Sequence, residues 1–409
     1  MRILQVPHAY TPVLGGVESQ IQKVSENLVA LGHDVHVLTT DVPSVDAYFR
    51  PMPRVHASAN EIRNGVHITR VAYGNRVTQG VQRILARAPT GLGKGRTLGA
   101  IESCIRHKLS STLEQEIRTW NPDVVLATPH VLPNVEIASA LRERLNFPFA
   151  VMPLLHEFDP QWPKDKVLST LAHADAVIAN TKWERDRLIE SYAVSPERVF
   201  VGGVGVDVSN SEPIHDVDTP FAVTFLGRKS LKKGIPLLLA AMNLVWDVVP
   251  EARLNLIGAT TADAEAVLEL IMALPPHLRS KIRSGDNVSN TEREQVLADT
   301  AILVLPSTVE SFGTVILEAW AHCVPVLTLD LPVFREIVAD GIDGFLVAPD
   351  ATALANRIIE GARSRSRLHG MGVAGHRKVI KEFDWMTVTR RFLVALQAAA
   401  KLHGRPTLS

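Results

Sequence analysis

The chain has 409 residues, 46% of them apolar and 21% charged, a balance that excludes disorder and calls for two cores of similar size rather than one. Its 43 Lys and Arg are matched by 43 Asp and Glu, so no global charge draws it to nucleic acid. Two cysteines, Cys104 and Cys323, leave no disulfide framework or cysteine-rich metal site and fit a reducing, cytoplasmic setting.

Met1-Arg2 leads into Ile3-Leu4-Gln5-Val6, which reads as a first buried strand instead of a signal peptide. After the loop Pro7 to Gly16, Val17, Ile21, Val24, Leu28 and Leu31 recur at helical spacing, Gly32 is a helix stop, and Val35 to Thr39 gives the next strand. Strand, glycine loop, helix and strand make a Rossmann-like opening without G-x-G-x-x-G; by itself the Gly15-Gly16 turn more often just reverses the chain. Residues 43–96 are irregular, with a hairpin expected around Arg63-Asn64-Gly65-Val66. Between Arg76 and Lys108 stand seven Lys or Arg against one acid, Glu102, on two helical patterns. A solvated basic face is the plainer reading of this segment, and a dock for anionic lipid or a phosphorylated acceptor the sharper one.

Strand and helix patterns then alternate: Val124–Ala127, Asn134–Arg144, Phe149–Met152, Lys166–Ala172, Val177–Ala179, Lys182–Tyr192 and Val199–Val201. His156 follows a strand end, where open sheets bind ligands. The polar stretch from Val208 to Pro220 interrupts the rhythm and marks the domain boundary; its Asp216-Val217-Asp218 is a solvated charge run, not a metal site.

A second α/β series starts at Ala222–Leu226 and releases Arg228 and Lys233 into a glycine-flanked loop, where two cations can lie over a diphosphate. It continues through Leu254–Ile257, a helix Ala262–Ala273, a loop Ser284–Val288 and a short helix Thr291–Ala298. The run Ile302-Leu303-Val304-Leu305 then ends at Pro306, passes Glu310, turns at Gly313 and enters a helix carrying Glu318. That helix start offers unpaired N–H groups to a phosphate, while Glu310 and Glu318 can accept hydrogen bonds from hydroxyls. Phosphate plus hydroxyls points to a sugar nucleotide. Strands at Pro325–Leu327 and Gly344–Val347 and an amphipathic helix after Phe383 complete the chain.

Gly15-Gly16-Val17-Glu18, Gly32-His33-Asp34-Val35, Ala174 to Ala179, Gly205-Val206-Asp207, Gly227-Arg228 with Lys233-Gly234, Pro306 through Ala319, and Glu336 with Asp340-Gly341 and Gly344 occur in the order seen in one family. Over nearly its whole length the chain resembles the retaining family 4 glycosyltransferases. The resemblance implies the GT-B fold: two facing Rossmann-like domains with an interdomain cleft. They would be an acceptor-side domain over 1–208, joined by a C-terminal helix from about 386–409, and a nucleotide-sugar domain over 209–385. It also implies roles. Arg228 and Lys233 would neutralise the donor diphosphate, and the amides of Ser311, Phe312, Gly313, Thr314 and Val315 would cap it. Glu318 would bind the ribose, Glu310 would hold the transferred sugar, Gly15 and Gly16 would approach the donor phosphate, and His156 would lie under the anomeric carbon.

The expected reaction is same-face transfer from a nucleotide sugar, UDP before GDP, to a small-molecule, glycan or lipid-linked acceptor, with no cofactor or metal. The enzyme would be cytoplasmic, with peripheral membrane contact through the basic segment under its sharper reading. A sugar-nucleotide epimerase of the same fold and a non-catalytic nucleotide-binding scaffold are the alternatives. The chain departs from the family at Cys323, where a glycine is usual, at Leu331 to Arg335, and at Val204.

Overall fold

The computed structural model describes residues 1–13, 15–42, 55, 57–72, 94–129, 132–155, 164–208, 220–259, 263–286 and 288–404. It divides into two compact units: residues 1–203 with 388–409, and residues 204–387. These bounds differ by a few residues from the 1–208, 209–385 and 386–409 expected from the sequence. His156, the 76–93 part of the basic segment and Asp216 to Asp218 lie outside the described residues.

The first unit begins with strand β1 (Arg2–Pro7), helix α1 (Gly16–Ala30) and strand β2 (Asp34–Thr40). Strands β3 (Asn60–Arg63) and β4 (Val66–Val71) form the expected hairpin, with Asn64 and Gly65 both at positive φ, 49° and 79°, as a tight two-residue turn requires. Helix α2 (Lys94–Trp120) leads to β5 (Val124–Thr128), α3 (Pro133–Leu145), β6 (Phe149–Val151), α4 (Lys164–His173), β7 (Ala176–Ala179), α5 (Lys182–Tyr192) and β8 (Val199–Val201). The sheet order is β3-β4-β2-β1-β5-β6-β7-β8, parallel except for the hairpin. Strands β5, β6 and β7 are buried along their whole length, as a sheet covered on both faces demands.

In the second unit, β9 (Ala222–Leu226), α6 (Ile235–Val248), β10 (Arg253–Gly258), α7 (Ala264–Met272), α8 (Pro276–Arg279), β11 (Ile282–Asp286) and α9 (Asn290–Ala298) follow one another. Then come β12 (Ile302–Leu305), α10 (Thr314–Ala321), β13 (Val326–Leu329), α11 (Pro332–Ile337), β14 (Gly344–Val347), α12 (Ala351–Arg363) and α13 (Arg365–Glu382). All six strands are parallel, in the order β11-β10-β9-β12-β13-β14.

The expected loop at Ser284–Val288 is corrected here. Residues up to Asp286 belong to β11, which pairs with β10 and carries polar, half-exposed side chains. An edge strand of that composition has no hydrophobic alternation to announce it.

Helix α14 (Trp385–Leu402) runs from the second unit into the first, where Val388, Phe392, Ala395, Leu396 and Ala399 are buried at helical spacing. Among the described residues, no helix is long and apolar enough to cross a membrane.

Candidate functional site

The chain winds outward from β9 through β10 to β11, then returns to place β12 on the other side of β9. The loops leaving the carboxyl ends of β9 and β12 therefore diverge at a topological switch point, the place where open parallel sheets bind ligands. Those are the two loops that carry the charged motifs.

After β9, the Gly227 N–H donates to the Ile257 carbonyl at 2.9 Å and the Lys229 N–H to Ala259 at 2.9 Å, which fixes the loop against the end of β10. Arg228, between them, is exposed and has no ion-pair partner among the described residues. A 3₁₀ turn over Leu231–Lys233 ends at Gly234, with φ 77°, and opens into α6. A Cβ at Gly234 would stand 2.0 Å from the Pro306 carbonyl oxygen, so only glycine lets this turn rest on the β12 loop. The contact aligns the two loops: Lys233 Nζ pairs with Glu310 Oε1, with 18% and 11% of those side chains exposed.

The β12 loop is anchored by apolar burial. Phe312 is 3% exposed and meets Phe383 edge-on, with ring centroids 6.0 Å apart. Gly313, at φ 89°, turns the chain into α10, where the Ile316 N–H donates back to the Gly313 carbonyl at 2.9 Å and the Thr314 and Val315 N–H groups lead the helix. Trp320 locks the helix from behind, fully buried, with its indole N–H donating to the Asp343 carbonyl at 2.8 Å. Cys323, at the helix end, has φ 56° and is buried. The position thus takes the left-handed conformation that the family's usual glycine would take freely, at a cost to a cysteine of about 1–2 kcal/mol.

Glu318 lies one turn into α10 and pairs with Arg293 of α9, a partner that sequence reading missed. No spacing rule links two residues on different helices. Lys229 was missed as well: it is 5% exposed, pairs with Asp286 and donates to Ser284 Oγ at 3.0 Å, tying the β9 loop to β11. The structure thus brings Lys233 to Glu310 and leaves Arg228 exposed.

In the first unit the equivalent switch point lies between β1 and β5. The loop after β1 is pinned by the buried Arg70, which donates to the Thr11 carbonyl at 2.6 Å and the Ser58 carbonyl at 2.8 Å. His8 Nε2 lies 3.0 Å from Glu18 Oε1 at the start of α1, next to Gly15 and Gly16. Gln20, a turn further on, donates to Asn180 Oδ1 at 3.1 Å and the Gly203 carbonyl at 2.8 Å. The buried Glu184 carboxylate accepts from the Leu155 and Asn180 backbone N–H groups at 2.8 and 2.7 Å. Leu154 has φ 58°, an uncommon conformation for a bulky residue, two positions before His156. A cavity of about 390 Å³ lined by Arg142, His173, Asp175 and Arg198 is also present. It sits beside residues that precede β6 and β7, the amino ends of those strands; its Arg142 already faces Asp175, and its Arg198 donates to the Leu171 and Ala174 carbonyls.

Residues 14–210 match the family model described as Glycosyltransferase Family 4, and residues 220–363 that described as Glycosyl transferases group 1. An alpha-maltose-1-phosphate synthase of Mycolicibacterium smegmatis is 30% identical over 244 residues, 54% of this chain and 62% of that protein. A glycogen synthase of Mycobacterium tuberculosis is 25% identical over 422 aligned residues, 99% of this chain and 97% of that protein. The Anabaena protein HepE, solved with UDP and glucose, superposes with a TM-score of 0.71 at 17% identity over 97% of this chain and 99% of that one. Its likeness together with the two wound sheets gives this chain the GT-B fold of two Rossmann-like domains. With one model matching most of each unit, the chain belongs to the family 4, group 1 glycosyltransferases.

Proposed function

We propose that the protein is a retaining hexosyltransferase that moves a sugar from a nucleoside-diphosphate donor, a UDP-sugar before a GDP-sugar, to an acceptor hydroxyl without a metal. The observation that carries this reading is the Lys233–Glu310 pair at the switch point of the second unit. HepE, whose solved complex contains UDP and glucose, supports uracil as the base.

Lys233 and Glu310 are paired with each other. A donor diphosphate would draw Lys233 to its oxygens, alongside Arg228 and the first amides of α10, and release Glu310 to accept hydrogen bonds from sugar hydroxyls. Cleavage of the bond between C1 of the sugar and the phosphate oxygen puts positive charge on the ring and negative charge on the leaving diphosphate. Preorganised cations at the leaving group are then the largest available catalytic term. The acceptor oxygen bonds to C1 on the face the diphosphate leaves, and its proton passes to a phosphate oxygen of the leaving group. Glu310 orients the sugar and does not become bonded to it. His156 and the Gly15-Gly16 turn would serve the acceptor side, where a small molecule, a glycan or a lipid-linked sugar would enter. We place this chemistry in the cytoplasm, on the strength of the cysteine usage. Under the sharper reading of residues 76–108, their basic side chains would add contact with anionic lipid.

Thermal unfolding with UDP, GDP and ADP tests the donor. A nucleotide at a hundred times its Kd stabilises by about 2.7 kcal/mol, and UDP is expected to give the largest shift. No shift with any of the three would overturn the reading. The anomeric configuration of the product, read by NMR, tests retention.

A further inference from the structure

Helix α9 is fastened to the donor edge by ion pairs that an ordinary surface helix does not need. Arg283 of β11 pairs with Glu292 at 3.0 Å, and Ser289 caps the helix by accepting from the Glu292 N–H at 3.1 Å. Arg293 and Glu294 then both reach α10. Glu294 Oε2 lies 2.5 Å from His322 Nε2, while His322 Nδ1 lies 2.9 Å from the Glu318 carbonyl. Arg293 Nη2 donates to Glu318 Oε2. The side chains in this last pair are 34% and 20% exposed, and burial lowers the pKa of the Arg293 guanidinium. It is therefore not one of the fully solvated pairs that contribute nothing measurable.

A carboxylate has two oxygens and about four acceptor positions. Arg293 takes Oε2, and Oε1 has no hydrogen-bond partner among the described residues. A side chain held by one oxygen has surrendered most of its rotamer freedom before a ligand arrives, so less is lost on binding.

We infer that Arg293 is a positioning residue for the donor: it holds Glu318 in one rotamer, with Oε1 presented to the ribose hydroxyls. This rests on the donor reading above. Arg293 does not itself touch the donor; it acts through Glu318.

The test is titration calorimetry of UDP and of 2′,3′-dideoxy-UDP with the wild type, Arg293→Ala and Arg293→Lys. The wild type is expected to bind UDP about tenfold more tightly than the dideoxy compound, the worth of one charge-assisted hydrogen bond. In Arg293→Ala that ratio falls toward one while the affinity for the dideoxy compound holds. Arg293→Lys restores part of the ratio, since an ammonium reaches one oxygen without the guanidinium fork. In turnover the donor KM of Arg293→Ala rises about tenfold with kcat little changed, the signature of lost uniform binding. Should the alanine variant not fold, Arg293→Met keeps the stem and carries the same measurement.

An unchanged ratio in Arg293→Ala overturns the inference. So does an equal loss of both ligands with a lowered Tm, which would make Arg293 a clamp of α9 only. A wild type that does not distinguish the two ligands also overturns it, by removing Glu318 from the ribose, and leaves the donor reading standing. A wild type that binds neither overturns both.

Discussion

The two units wind their sheets alike and finish their carboxyl edges differently. At the switch point of the second, ionic side chains meet side by side or stand exposed: Lys233 with Glu310, Glu318 with Arg293, and Arg228 in solvent. At that of the first, His8 pairs with Glu18 and Arg70 with Glu61, and much of the remaining polar capacity holds backbone. Arg70 and Gln20 donate to carbonyls, and Glu184 accepts from two N–H groups. Under the proposed function, one edge would exchange its partners for a ligand, whereas the other would keep the ones it has. A ligand-exchanging edge tolerates mutation in stability and fails in activity, and a self-satisfied edge does the reverse.

Lys233→Ala should separate these behaviours most widely. Loss of one preorganised charge at the leaving group is expected to lower kcat/KM by about 10²–10³-fold, measured with a UDP-sugar, with little change in Tm. Gly234→Ala attacks the same edge through its backbone. A left-handed alanine costs about 1–2 kcal/mol, and its Cβ would also strike Pro306, so calorimetry should show a lower Tm together with weaker UDP binding. Glu184→Gln belongs to the other edge. Replacing a charged acceptor of two N–H groups should cost about 1–2 kcal/mol in urea unfolding and leave UDP affinity unchanged.

The smallest effect is a pH slope in the first unit. Burial, and after it the neighbouring His67, hold the His36 imidazole down at about 4, against its ordinary 6.5. The unfolded chain takes up this proton first, so stability is present above about 6.5 and is lost as pH falls toward about 4. Glu116, 3.4 Å away and pushed up by its own burial, works against that slope. The difference between His36→Gln and the wild type across this window is therefore the quantity to read, and the variant should be the flatter of the two.

Much of this was legible in the sequence because it is local. Strand ends, the Asn64-Gly65 turn, the loop flanked by Gly227 and Gly234 and the acids flanking Gly313 each announce themselves within a few residues. Their convergence follows from one topological rule, since parallel strands wound from a switch point bring their following loops to one edge. Strand β11 was not legible, because a polar edge strand carries no alternation. Arg293, Lys229 and Glu184 were not legible for a different reason. Each is defined by a partner 25 or more residues away, or on another element, and nothing in its own neighbourhood separates it from a surface charge. The left-handed Cys323 lies between these cases: the departure from glycine was visible, but the backbone it had to follow was not.

The central claim is that the second unit's switch point binds a diphosphate. Titration of UDP and of uridine with the wild type and Lys233→Ala tests it directly. The account predicts that the wild type binds UDP far more tightly than uridine, and that Lys233→Ala loses most of this difference while its affinity for uridine is unchanged. A variant that keeps the full preference for UDP would contradict it.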